Sequence, residues 1–263
     1  MTGFRARTAC RIELEMLALT DWLGLKGQRV LVAGAGGIGA ACVQAFLDEG
    51  ANVLVADRDA ERLTTFTGQA GTIAVDLTST DGCEQAVRAA ETELGGLDVL
   101  VHAVGINNRV PILETTDEDW DRILDVNLSS AFRLGRAAGR IMVGARQGRQ
   151  IYCSSVSSLL AHPDHGPYAA SKGGLNQLVR VMAREWASSG VTVNAIAPGY
   201  VETALTGAFL DRPGVRDHYT GMVPAGRLGT VDDLTGPVLF LASRQAAFVT
   251  GHVLYVDGGR TLV

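Results

Sequence analysis

No uninterrupted apolar run in the 263-residue chain approaches the roughly 18 residues of a membrane span, so no transmembrane helix is expected. Cysteine is scarce. Cys10, Cys42, Cys83 and Cys153 are far apart and form neither a CxxC pair nor a Cys/His cluster, so no metal is expected and the four read as reduced thiols of a cytoplasmic protein. Excess positive charge is absent too: the formal net charge is −5, which leaves no electrostatic footprint for nucleic acid or anionic lipid and favours small-molecule partners. Arg5, Arg7 and Arg11 open the chain, but Glu13 and Glu15 interrupt what would have to be the apolar core of a signal peptide, so secretion is not expected. Neither an internal repeat nor a low-complexity linker divides the sequence, and one domain is expected. Residues 1–24 read as a mobile N-terminal extension or as sequence ahead of a start at Met16, and the patterned chain runs from Leu25 to Val263.

What is present is a globular composition, 47% apolar and 19% charged with 32 glycines, arranged as short β-branched runs alternating with segments of helical period. The runs are Arg29–Ala33, Asn52–Ala56, Gly71–Val75, Val99–Ala103, Gln150–Ser154, Thr192–Ala197 and Val253–Val256; Ala40–Glu49, Thr80–Leu94, Asp117–Ala138 and Pro167–Ser188 have helix length and spacing. This alternation predicts right-handed βαβ crossovers: a Rossmann-like, doubly wound α/β fold with seven parallel strands in one sheet and helices on both faces. The stretch from Pro198 to about Thr230, punctuated by Pro213, Gly214, Gly221, Pro224 and Gly226, is longer than a plain connection, and residues 199–230 read as a substrate-covering lid.

Directly after the first strand comes Gly34-Ala35-Gly36-Gly37-Ile38-Gly39, with G-x-G-x-x-G spacing and a helix behind it. Glycines let backbone approach a pyrophosphate, whose charge is met by the amides and positive end of that helix. The second strand ends in Asp57, near the offset at which a carboxylate accepts hydrogen bonds from the adenosine ribose and repels a 2′-phosphate, which favours NAD over NADP. Arg58 is adjacent and could pair with that phosphate. Asp76 stands where an adenine amino group could bind; a turn or helix-cap role fits it nearly as well.

Ser155, after the fifth strand, and Tyr168 and Lys172, at the start of the next helix, should gather at the carboxyl edge of the sheet. Four-residue spacing puts the tyrosine and lysine on one helix face, where the neighbouring ammonium and the positive charge of an oxidised nicotinamide together should lower the phenol pKa from near 10. Spacing alone fits core packing as well, since Leu175, Val179, Met182 and Trp186 continue the stripe. Asn127 sits on a stripe with Trp120, Leu124, Ala131 and Leu134 that should face the interior; a buried amide needs a partner, structural or catalytic. His102 reads as a hydrogen-bonded core histidine.

Taken together these residues resemble the short-chain dehydrogenase/reductase family, over the chain from Leu25 onward. Ser155, Tyr168 and Lys172 match its catalytic triad in order and spacing, and Asn127, in Asp125-Val126-Asn127-Leu128, matches its fourth catalytic position. The resemblance implies that Ser155 polarises the substrate oxygen and Tyr168 is general acid or base. Lys172 would bind the nicotinamide ribose and lower the tyrosine pKa, and Asn127 would hold a water linking Lys172 to solvent. It further implies cofactor contacts from the glycine loop, Asp57, Arg58, Asp76, Leu77, Ala103, Gly105, Tyr168, Lys172, Pro198, Gly199, Val201 and Thr203. The ending from Thr250 to Gly259 is similar to a strand that in this family often lines a tetramer interface, so a homo-oligomer, tetramer or dimer, is expected.

Two departures stand out. The family's glycine loop reads T-G-x-x-x-G-x-G, whereas Ala33 replaces the threonine and one residue is missing between Gly34 and Gly37, which removes a position that often contacts a 2′-phosphate. The usual N-N-A-G after the fourth strand is His102-Ala103-Val104-Gly105. The leading function is hydride transfer between NAD(H) and a secondary alcohol or ketone of polyol, sugar-acid or hydroxy-acyl type. The alternatives are a 3-oxoacyl or polyketide-type ketoreductase anchored by Arg212, Arg216 or His218, and a nucleotide-binding sensor without chemistry.

Overall fold

The computed structural model describes residues 21–263; the expectations for residues 1–20, Cys10 and Met16 among them, lie outside the described residues, while residues 21–24 of the expected mobile extension are tied down by Arg244 and Gln245, which donate to the Asp21, Trp22 and Leu23 carbonyls. Seven parallel strands form one sheet in the order β3-β2-β1-β4-β5-β6-β7. They are β1 (Arg29–Ala33), β2 (Asn52–Asp57), β3 (Gly71–Ala74), β4 (Val99–His102), β5 (Gly148–Cys153), β6 (Val191–Pro198) and β7 (Val253–Val256). The expected strands are all there, with ends shifted by one or two residues. Because successive side chains in a strand point to opposite faces, Leu31, Leu54 and Leu100 enter one core while Val30, Val32, Val53 and Val99 enter the other.

The helices that cover those cores are α1 (Gly37–Asp48), α2 (Ala60–Leu63), α3 (Thr80–Leu94), α4 (Asp117–Leu124), α5 (Ser130–Ala145), α6 (Gly166–Trp186), α7 (Ala204–Leu210), α8 (Val215–Gly221) and α9 (Asp232–Ala242). Cys83 and Ala86 of α3, Leu134 and Met142 of α5 and Leu175 and Val179 of α6 pack on one face. Val43 and Phe46 of α1 and Leu234 and Val238 of α9 pack on the other. Among the described residues no helix is long and apolar enough to cross a membrane.

Two features differ from the periodicity reading. The helix expected over Asp117–Ala138 is broken by a π-helical turn at Asp125–Ser129, with Asn127 fully buried at its centre. A π turn inserts a residue and rotates everything before it relative to everything after. Ala131 and Leu134 therefore face the core as expected, whereas Trp120, which lies before the insertion, is 37% exposed. The segment after Pro198 is not irregular either: it folds into α7 and α8. Strand order reverses direction of growth between β1 and β4, and the crevice beyond their carboxyl ends is where such sheets take ligands.

Candidate active site

A cleft of about 550 Å³ opens at that crevice, walled by the glycine loop, Asp57, Arg58, Asp76, Leu77, Ala103, Gly105 and Thr203. Gly34 holds φ +101°, open to glycine, and its amide donates to the Ala56 carbonyl at 2.8 Å, pinning the loop to β2. Gly36 and Gly37 lead into the amino end of α1 with no side chain between backbone and cleft. Asp57 is built into this turn: its carboxylate accepts from the amides of Ala35 at 2.7 Å and Asp59 at 2.9 Å. The residues present thus fit a dinucleotide, with bare backbone at a helix start for the pyrophosphate and a fixed carboxylate beside it.

Asp76 shows the turn role that the sequence left open: it accepts from the Thr78 amide at 2.9 Å and hydroxyl at 2.7 Å, and those bonds hold its carboxyl below the ordinary range. It also lines the cleft. Arg62 was missed by sequence reading. It stands one helical turn after Arg58, and its guanidinium lies 3.4 Å from where a Cβ on Gly36 would be, so it overhangs the glycine loop. Gly39 is buried beneath the loop, and Pro198 closes buried β6. Gly199 packs against Asp257 and Val201 bridges to Gly229, where the chain turns under the lid after Pro198.

At the other end of the crevice the four expected catalytic positions come together. Pro167 at the first turn of α6 presets the backbone dihedral and starts the helix that carries Tyr168 and Lys172. The Lys172 ammonium is 5.7 Å from the Tyr168 ring centre and donates to the Cys153 carbonyl at 2.7 Å. It is 3% exposed, and burial lowers its pKa to about 8. Ser155 caps a short turn, its hydroxyl accepting from the Ser157 amide at 3.1 Å. A Cβ added to Gly105 would lie 3.5 Å from both the Lys172 ammonium and Asn127 Oδ1, which places the latter two on either side of one glycine.

Asn127 clamps the loop after β4: its Oδ1 accepts from the Ile106 amide at 2.8 Å, and its Nδ2 donates to the Ile106 carbonyl at 2.9 Å and to Ser171 Oγ at 3.1 Å. The π turn is what aims it there. The chain's own groups shift the Tyr168 phenol opposite to the direction expected with an oxidised nicotinamide beside it. Withdrawal from water raises the phenol above its ordinary pKa of 10, and only the Ser155 hydroxyl and the Arg109 charge pull it down. Lys172 spends one ammonium N–H on the Cys153 carbonyl.

His102, in place of the usual asparagine, is fully buried, its Nε2 2.9 Å from Ser130 Oγ, which itself donates to the Val126 carbonyl at 2.5 Å. Since that hydroxyl proton is used, the histidine donates through Nε2, and it thereby ties β4 to the π turn. Burial, then the Lys172 charge, depresses its pKa to about 3. Below pH 6.5 the unfolded chain binds a proton that the folded chain refuses, so this group's contribution to stability falls as pH drops from 6.5 toward 3, by about 1.4 kcal/mol per unit. Denaturant titrations of the wild type and His102→Asn at pH 7 and 4.5 should show the wild type losing about 2.7 kcal/mol relative to the variant at the lower pH. A gap independent of pH would mean the imidazole is not held neutral.

A family model described as enoyl-(acyl carrier protein) reductase matches residues 32–261. The chain is 36% identical over 250 residues to gluconate 5-dehydrogenase of Gluconobacter oxydans, covering 92% of this chain and 98% of that one. It is 37% identical over 246 residues to 3-oxoacyl-[acyl-carrier-protein] reductase of Vibrio cholerae, covering 92% and 100%. It superposes with TM-score 0.87 and 35% identity on a gluconate 5-dehydrogenase from Burkholderia cenocepacia solved with NADP and tartrate, covering 90% of this chain and 96% of that one. With a match that spans both cleft and catalytic cluster, the chain belongs to the short-chain dehydrogenase/reductase family.

Proposed function

We propose that the protein is an NAD(P)-dependent oxidoreductase that interconverts a secondary alcohol and a ketone, of polyol, sugar-acid or hydroxy-acyl type. The observation that carries this is the convergence of Ser155, Tyr168 and Lys172 beside Gly105, on the wall of the cleft that the glycine loop and Asp57 open. When bound, the dinucleotide accepts or donates the hydride. The glycine loop would hold its pyrophosphate, Asp57 the adenosine ribose and Lys172 the nicotinamide ribose. Ser155 orients the substrate oxygen by hydrogen bonding. Tyr168 takes the carbinol proton in oxidation and returns it to the ketone oxygen in reduction. Asn127 holds the loop wall and, through it, the position of Lys172; a relay water beside Lys172 belongs to the same reading.

NAD is favoured over NADP in this reading. Asp57 is anchored by two backbone amides, so its negative charge cannot swing away from a 2′-phosphate. Arg58 and Arg62 oppose that preference, and the relative from Burkholderia cenocepacia was solved with NADP. The exposed Phe132, Val181 and Phe248 support a homo-oligomer, and the buried free thiols of Cys42, Cys83 and Cys153 a cytoplasmic setting. The 3-oxoacyl reading rests on the Vibrio cholerae relative but loses one anchor, since Arg216 is ion-paired with Glu202 and Asp211.

Steady-state assays with both cofactors across alditols, aldonates, simple ketones and a 3-oxoacyl thioester test the proposal. Turnover of a carbinol or its ketone is expected, with the larger kcat/KM for NAD. Asp57→Ala should move the NADP-to-NAD ratio of kcat/KM toward NADP by about tenfold. Cofactor binding without turnover of any compound would turn the reading toward the sensor, and an unmoved ratio would remove Asp57 from cofactor choice.

A further inference from the structure

The catalytic cluster opens toward a wall of rings contributed by the segment before α6 and by the lid. His165 stands 6.1 Å from Tyr168, ring centre to ring centre, and 5.7 Å from His162, which is 5.8 Å from Tyr200. Tyr200 and Tyr219 meet edge to face at 4.3 Å, and Tyr219 meets Phe209 at 5.4 Å. At the end of this wall the guanidinium of Arg109 lies 3.5 Å over the Phe209 ring, and that of Arg212 lies 5.5 Å from the same ring. The Arg109 charge is felt at Tyr168 as well as at Tyr200 and Tyr219.

Two like charges therefore share one phenylalanine, and burial together with the Arg212 charge disfavours the charged form of Arg109. Among the described residues neither has an acidic partner within 4 Å, whereas the neighbouring Arg216 has two, Glu202 and Asp211. An uncompensated arginine pair is what an anion of the ligand would compensate: a guanidinium presents a planar fork that matches a carboxylate, and stacking on a ring fixes the plane of that fork in advance. Phenol and imidazole edges along the intervening wall suit a chain of hydroxyl groups and offer little to a long apolar tail.

We propose that Arg109, seconded by Arg212, is the carboxylate anchor of the substrate site, and that the substrate is a short polyhydroxy acid or the corresponding oxo acid. This rests on the alcohol/ketone reading above and narrows it. Arg109 is a specificity residue: it holds the end of the substrate remote from the reacting carbon, so its interaction is made in the bound acid as well as during hydride transfer, and its loss falls mainly on KM.

The test sets aldonates of four, five and six carbons against the alditols of equal length, on wild type, Arg109→Gln and Arg109→Lys. Both calorimetric binding in the presence of reduced cofactor and oxidation kinetics are read. In the wild type at least one aldonate should bind about tenfold more tightly than its alditol. Arg109→Gln should abolish that preference and raise KM for the acid about 30-fold while moving KM for the alditol less than threefold, and Arg109→Lys should recover part of the loss. If no acid binds better than its alcohol, or if Arg109→Gln weakens both equally, Arg109 only latches the lid and the proposal is overturned. If the acid preference appears in binding while nothing is turned over, the anion site stands and the alcohol/ketone reading fails.

Discussion

Replacing Tyr168 by phenylalanine is expected to lower kcat/KM by about 10³-fold while leaving cofactor affinity within about threefold, because only the proton-transfer oxygen is removed. The ring stays, and so does the 2.7 Å bond by which Lys172 holds the Cys153 carbonyl, so the wall of the site should not collapse. The pH dependence carries a second signature. Burial keeps the phenol protonated at neutral pH, ready to donate to a ketone, while alcohol oxidation needs the phenolate. Oxidation should therefore quicken as pH rises into the alkaline range and reduction should slow; Tyr168→Phe should flatten both limbs. Stopped-flow and steady-state rates with a verified substrate, paired with fluorescence titration of the dinucleotide, measure this. Retention of near-normal turnover in the variant would reassign the acid/base role, and an unchanged pH profile would reassign the titrating group.

The strands were legible because their residues obey a rule that reads locally: Val30-Leu31-Val32 must be apolar at every position, since both faces of a parallel sheet are covered. The nucleotide loop was legible for a similar reason, as glycine spacing records a backbone conformation directly. The π turn left no such mark. Asp125-Val126-Asn127-Leu128-Ser129 reads as ordinary helix, and its inserted residue shows only in the phase slip that exposes Trp120. The upward push on Tyr168 from the chain itself was not legible, because a neighbouring lysine can be counted in sequence, while desolvation of the hydroxyl and the hold of the Cys153 carbonyl on Lys172 are products of tertiary packing. Arg109 escaped for the same reason. It sits in a loop without periodicity, and its partner Phe209 is 100 residues away in a helix too short to announce itself.

One chemical change made at two glycines separates backbone necessity from helix propensity. Gly39 and Gly144 both lie in helices, α1 and α5, where alanine is intrinsically better by up to about 1 kcal/mol. At Gly144, exposed and with nothing within 4 Å of an added Cβ, that preference should be realised as a gain of about 0.5 kcal/mol. At Gly39 the added Cβ would press on the Gly34 carbonyl oxygen and stand 2.9 Å from its carbon. Both contacts are backbone, and Gly34 cannot retreat: its amide is bonded to Ala56 and its φ of +101° is already at a value few residues reach. The start of α1 must instead lift off the loop, which costs about 2–4 kcal/mol after the propensity gain is counted. Because the same backbone forms the cradle for the pyrophosphate, dinucleotide affinity should fall more than about tenfold, a loss that no stabilising buffer restores. Urea unfolding and dinucleotide titration of the two variants side by side decide it: equal stability changes at Gly39 and Gly144 would mean that the loop is pliant, and that the missing residue between Gly34 and Gly37 has not tightened the turn.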